Sequence, residues 1–135
     1  MIIVLDASAA VTIAIDNSTS RKISEYLKKA DLIIAPDIFI AEVSNAFWKY
    51  HEFENLPLDI CEETLFRTID IVDEFRNTEQ FYKEAFSLSC QVNHPVYDTL
   101  YLVLARRNNA LLVTNDKELQ RIAKKHSIKT TDDVH

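Results

Sequence analysis

Glycine does not occur anywhere in this 135-residue chain, where an ordinary protein carries about 7%. That excludes a P-loop and a dinucleotide fingerprint, because both use glycine to bring backbone close to phosphate. It also predicts a helix-rich chain whose turns fall to Asn and Asp. Cysteine is scarce: Cys61 and Cys90 show no CxxC or Cys/His spacing, so both read as core or half-buried thiols in a reducing compartment. No basic segment precedes an apolar one at the start, and no apolar run approaches the roughly 20 residues of a membrane span. The expectation is a cytoplasmic protein with no membrane partner. Positive charge is short as well. The formal net charge is −6, which excludes a protein that holds nucleic acid mainly through a basic surface. It does not exclude a site whose carboxylates count as negative until they hold a cation.

What remains is ordinary globular chemistry, 47% hydrophobic and 27% charged, in a length that suits one domain spanning residues 1–135. Ile2-Ile3-Val4-Leu5 is an uninterrupted apolar run that reads as a strand buried on both faces. Asp6 ends it, and Ser8 is placed to cap a short helix over Ala9 to Ile15. Residues Asp16 to Thr19 break that helix, and a second one, capped from Ser18 or Thr19, runs to about Ala30. Leu32 to Ala35, closed by Pro36, is a second buried strand, and Asp37 can cap a helix from Ile38 to about Glu52. Strand, helix and strand in this order make a βαβ unit and hence a parallel sheet.

The middle of the chain is less regular. An amphipathic helix from about Ile60 carries Leu65, Phe66, Ile69, Val72 and Phe75, although Ile69 to Val72 also suits a short edge strand. After a break at Arg76 to Glu79, a further helix takes in Phe81, Ala85, Phe86 and Leu88. Trp48, Phe53, Phe66, Phe75 and Phe81 are more apolar mass than a small sheet needs; core packing is the simpler account and a homodimer the other. Asn93 to Val96 leads into a helix from Tyr97 to Asn108, Ala110 to Val113 is a strand, and Lys117 to His126 is a helix. Ser127 to Thr130 reads as a last short strand, rudimentary because the acidic tail to His135 leaves it little length.

Four acids fall at comparable points. Asp6 and Asp116 each stand between a strand end and a helix start, where open α/β sheets place their ligand sites. Glu42 lies one turn into its helix, on a stripe with Asn45 and Lys49 beside the apolar arc of Ile40, Val43, Ala46, Phe47 and Tyr50. Asp98 is in the first turn of a helix whose solvent stripe is Thr99 and Arg106, so it points at the protein body. Each acid alone has a bland explanation as a cap or a solvated side chain. At a topological switch point, however, two strand ends and two helix starts bring four carboxylates within a few ångströms, and like charges that close need a cation to stay ionised. With no thiolate or His cluster the donors are hard oxygen, which calls for Mg2+ (or Mn2+) rather than zinc, and that pairing suits phosphoryl transfer. Ser8, Thr114 and Asn115 are candidates to orient those oxygens or their waters. His51, His94, His126 and His135 show no mutual spacing that suggests a site.

The chain resembles a PIN-domain protein of the prokaryotic VapC type over essentially its full length. The likeness rests on Val4-Leu5-Asp6-Ala7-Ser8, Ala35-Pro36 with Glu42-Val43-Ser44-Asn45-Ala46, Val96 to Ala105 around Asp98, and Leu111 to Leu119 around Asp116. It implies a three-layer α/β/α sandwich with a central parallel sheet, and Asp6, Glu42, Asp98 and Asp116 as an acidic quartet. Asp6 and Asp98 would bridge metals, Asp116 would complete one site, and Glu42 would lean to a second or to the attacking water. The implied activity is divalent-metal-dependent endoribonuclease, with RNA, single-stranded or looped, as substrate. A homodimer and a cognate antitoxin are the implied partners. Lys49, Arg106, Arg107 and Lys117 are candidate backbone contacts for the RNA. The competing readings are a stand-alone PIN-type nuclease acting on RNA or structured DNA, and a non-catalytic acidic protein that binds a basic partner.

Overall fold

A computed structural model describes residues 1–15 and 17–131, with backbone alone for 17–20. The strands are β1 (Ile2–Leu5), β2 (Leu32–Pro36), β3 (Glu74–Arg76) and β4 (Leu111–Val113). The helices are α1 (Ala7–Ile15), α2 (Asn17–Lys28), α3 (Ile38–Glu54), α4 (Leu58–Asp70), α5 (Tyr82–Val92), α6 (Val96–Arg107) and α7 (Lys117–Lys125). A 3₁₀ turn at Thr78–Gln80 precedes α5. The four strands form one sheet in the order β3-β2-β1-β4, every pair parallel, at the centre of an α/β/α sandwich. β1 is flanked by β2 on one side and β4 on the other, so the chain reverses its direction of travel across the sheet between β1 and β4. That is the switch point, and Asp6 and Asp116 stand at it.

The sheet is apolar because it is covered on both faces. Ile3, Val4 and Leu5 are fully buried, as are Ile34, Leu112 and Val113. Helix α6 is the main cover. It packs on β1, β2 and β4, and every residue from Thr99 to Ala105 is buried, which is the pattern of a helix enclosed on all sides.

With no glycine available, Asn55, Asn93 and Asn109 take positive φ at helix ends, as the composition predicts, and Ser127 does so after α7.

Several local readings are corrected. Asp6, rather than Ser8, caps α1: the helix already includes Ala7, and the Ser8 backbone N–H donates to Asp6 Oδ1 at 2.5 Å. The inward stripe of α3 is Phe39, Val43 and Phe47, at four-residue steps, while Ile40 is exposed. The edge strand forms at Glu74–Arg76 and not at Ile69 to Val72, because Asp73 pairs with Ile33 through both its backbone and its carboxylate and so sets where the chain joins β2. Phe75 then packs on Phe39 at 5.8 Å between ring centroids. Thr99 is buried, donating to the Ala85 carbonyl at 2.9 Å, so α5 covers the side that the helical period assigns to solvent. The last strand is a single parallel bridge between Leu112 and Thr130. Cys61 is buried but Cys90 is exposed. Core packing accounts for Phe81 and, in part, Phe75, whereas Trp48, Phe53 and Phe66 are exposed. The break expected over Asp16 to Thr19 is shorter, because α2 already includes Asn17, while Asp16 itself, the side chains of Ser18 and Thr19 and the acidic tail from Asp132 lie outside the described residues. Among the described residues, no helix is long and apolar enough to cross a membrane.

Candidate active site

The site is built from the β1–α1 junction outward. β1 ends at Leu5, and the next residue must turn the chain into α1. Asp6 does so by capping, and its burial at 6% exposure places the carboxylate under the helix start. Three donors hold it: the Ser8 N–H at 2.5 Å, the Ser8 hydroxyl at 2.7 Å and the Thr114 hydroxyl at 2.5 Å. Thr114 follows β4, hydrogen-bonded neighbour of β1, so the sheet register itself brings the hydroxyl across 108 residues. The same hydroxyl accepts the Asp116 backbone N–H at 3.1 Å and so links the two acids of the strand ends. Asp116 in turn caps α7, accepting from the N–H groups of Glu118 at 2.9 Å and Leu119 at 3.2 Å.

Asp98 enters from the first turn of α6, partly exposed, with Oδ2 2.7 Å from His94 Nε2. Glu42 enters from α3, where Oε1 accepts the Tyr101 hydroxyl at 2.6 Å.

Three of these carboxylates, Asp6, Glu42 and Asp98, belong to one electrostatic neighbourhood. Burial drives the Asp6 carboxyl above its ordinary range against the hydrogen bonds from Thr114 and Ser8, and the charge of Asp98 adds to the rise. Glu42 is also raised, first by burial and then, against the Tyr101 hydroxyl, by the charges of Asp6 and Asp98. Tyr101 itself is held firmly protonated by burial and by the Glu42 carboxylate, and therefore acts as a donor. Asp98 reaches Asp116 as well: one donor atom from each of His94, Asp98 and Asp116 lies within 4.8 Å of the others. Two ligands on one small divalent cation lie roughly 3 to 4.3 Å apart at metal–oxygen distances of about 2.1 Å. The group could hold such a cation with small side-chain adjustments, and its donors are of the right kind.

Of the supporting residues, Ser8 and Thr114 hold Asp6. Asn115 instead donates its amide to Thr12 of α1 at 2.8 Å, tying the loop after β4 to the first helix. Asn45 is exposed, one turn beyond Glu42 on α3. Two residues outside the sequence-derived site set contact its acids. His94 lies four residues before Asp98, a helical spacing hidden by Pro95 and a helix that starts only at Val96. Nothing near Tyr101 in the sequence points to its role, since its partner Glu42 is 59 residues away.

Glu42 also opens onto a groove of about 610 Å³ between α1 and α3, lined by Ala7, Ser8, Lys49, Tyr50 and Phe53 among others. Lys49 therefore shares this groove with Glu42. Arg106 and Arg107 are not, since both bind Glu84 of α5, at 2.6 and 2.7 Å, and Arg107 also lies 6.0 Å from the Phe81 ring centre. Burial works upward on Glu84, but the two guanidiniums overcome it and hold the carboxyl below its ordinary range.

Known proteins share this arrangement of chain. Residues 3–125 match the PIN domain. Over 121 residues the sequence is 26% identical to Ribonuclease VapC3 of Pyrobaculum aerophilum, covering 88% of this chain and 92% of that protein. The fold superposes on the crystal structure of PAE2754 from Pyrobaculum aerophilum with a TM-score of 0.66 and 23% identity, over 89% of this chain and 83% of that one. It also superposes on VapBC2 from Rickettsia felis, solved with a DNA fragment from its promoter, with a TM-score of 0.65 and 20% identity over 96% and 97% of the two chains. With the family match spanning nearly the whole length, this chain belongs to the PIN domain family.

Proposed function

We propose that this protein is a divalent-metal-dependent endoribonuclease, the toxin half of a toxin–antitoxin pair, that hydrolyses RNA phosphodiester bonds. The observation that carries the reading is the meeting of Asp6, Glu42, Asp98 and Asp116, from four separate elements, at the switch point of the sheet. A cluster that leaves Asp6 and Glu42 short of compensating charge is poorly suited to a purely structural role and well suited to a cation. Asp6, Asp98 and Asp116 would hold Mg2+ or Mn2+, with Glu42 beside them. When bound, such a cation supplies charge neutralisation on a phosphate and a water of lowered pKa.

The protein's own groups do the rest. Ser8 and Thr114 fix both oxygens of Asp6, so that it is preorganised at the centre of the site. Tyr101 occupies one oxygen of Glu42 and leaves the other to accept a proton or orient a water. The groove beside Glu42 offers Lys49 to a phosphate and Tyr50 and Phe53 to unstacked bases, which favours a single strand over a duplex. Exposed Trp48, Phe53, Leu58, Ile60 and Phe66 on and around α3 and α4 are an apolar surface that suits a second copy or an antitoxin. The name of the Pyrobaculum relative and the VapBC2 likeness support the toxin assignment.

The test is a side-by-side assay on RNA and DNA of one sequence, single-stranded and folded, with Mn2+, with Mg2+ and with a chelator. Cleavage of the RNA alone, dependent on metal, is the expected result. Preferential cutting of folded DNA would replace the substrate assignment, and no cutting of either would remove the enzymatic one.

A further inference from the structure

Carboxylates are not the only donors at this site. His94 Nε2 lies 2.7 Å from Asp98 Oδ2, and His94 is grouped with Asp98 and Asp116 within a span of 4.8 Å. The backbone that carries the imidazole is fixed on both sides. Asn93 takes a left-handed φ of 55°, the His94 N–H donates to the Ser89 carbonyl at 3.3 Å, and Pro95 follows with φ −58° at the start of α6. The side chain is only 15% exposed. A surface histidine has no need of such placement.

Chemistry gives the placement a purpose. A fifth carboxylate would add negative charge to a cluster that already raises Asp6 and Glu42, whereas a neutral imidazole adds a ligand and no charge. Nitrogen is also a softer donor than carboxylate oxygen. Mg2+ prefers oxygen throughout, while Mn2+, though also at home among oxygens, is the softer of the two and tolerates an imidazole among its ligands.

We propose that His94 Nε2 is a direct metal ligand beside Asp98 and Asp116, and that this nitrogen makes the site favour Mn2+ over Mg2+. The proposal rests on the metal-dependent reading above but adds a residue and a selectivity. In the metal-free protein a proton between His94 Nε2 and Asp98 Oδ2 makes the hydrogen bond. To bind the cation, that proton passes to solvent, the neutral ring carries its one remaining proton on Nδ1, and Nε2 and Oδ2 both turn to the metal. Ligands at adjacent coordination positions lie about 3 Å apart, so the observed 2.7 Å needs little change.

Two measurements on the whole protein, prepared metal-free and then given a single metal, test this, and neither is a rate. Electron spin-echo modulation of the Mn2+-loaded protein should show coupling to a directly bound imidazole 14N. Calorimetric titrations with Mn2+ and Mg2+ should show Mn2+ bound at least about tenfold tighter, and His94→Gln should lose about that factor for Mn2+ while holding Mg2+ as the parent does. The Gln amide can still reach Asp98, so its effect reports the nitrogen ligand and not the hydrogen bond. Absence of 14N coupling in the parent protein overturns the proposal, as does failure to bind Mn2+ or an unchanged Mn2+ affinity in His94→Gln. The nuclease reading fails separately: nitrogen coupling without RNA cleavage keeps the ligand and removes the enzyme, and cleavage without coupling does the reverse.

Discussion

Thr114 donates its hydroxyl to Asp6 Oδ2 at 2.5 Å, and through this one contact the end of β4 fixes the acid at the end of β1. Both groups are buried, so the bond is shielded from water. Thr114→Val keeps the shape and removes the donor, leaving a buried carboxylate oxygen unsatisfied. The expected loss of stability is about 1–3 kcal/mol by chemical denaturation, with a fall in cleavage rate because Asp6 is no longer oriented. A variant as stable and as active as the parent would show that the contact has no such role.

Tyr101 and Glu42 give a second, independent handle. Tyr101→Phe removes the hydroxyl that donates to Oε1 of Glu42 at 2.6 Å and leaves the ring in the core. Stability should fall by about 1–2 kcal/mol, and the rate should fall while RNA affinity is held. A drop in affinity at unchanged single-turnover rate would place Tyr101 in substrate binding instead.

The raised carboxyls make metal-free stability depend on pH with a definite sign. Asp6 and Glu42, ordinarily near 3.8 and 4.5, are both raised in the folded protein, chiefly by burial. Over the interval between ordinary and raised values the native state holds protons that the unfolded chain has released. Their contribution is therefore most favourable below the ordinary values and is lost as pH rises through that interval. Melting in the presence of a chelator should show this decline, Asp6→Asn should flatten it, and added Mn2+ should offset it at neutral pH. A parent protein whose pH profile matches that of Asp6→Asn would contradict the assignment.

Glu84 marks what the site does not include. Because it engages Arg106 and Arg107 together, those arginines serve the α5–α6 contact. Glu84→Ala should cost only about 0.5–1.5 kcal/mol for two partly exposed pairs and leave cleavage unchanged. A marked loss of RNA binding in a fully folded Glu84→Ala protein would return the arginines to the substrate path.

What the sequence made legible was whatever depends on local period. The apolar runs of β1, β2 and β4, the enclosed face of α6 and the strand-end positions of Asp6 and Asp116 all follow from residues within a few places of one another. β3 has no such local signal, because Glu74-Phe75-Arg76 carries no apolar run; it becomes a strand only through Asp73 and its pairing with Ile33. Thr99 looked solvent-facing because nothing local announces α5 against it. His94 was hidden by a helix boundary, and the Tyr101–Glu42 pair by distance along the chain. Tertiary proximity, not propensity, decided each of these.

The central claim is that the four carboxylates form one metal-dependent cutting site, and Asp6→Asn tests it most directly. Asn retains an oxygen to accept the Ser8 N–H, so the fold and the cap on α1 should survive, checked by melting. Single-turnover cleavage of RNA in Mn2+ should fall by about a hundredfold or more. A folded Asp6→Asn protein that cuts the same RNA at the parent's rate would contradict the account.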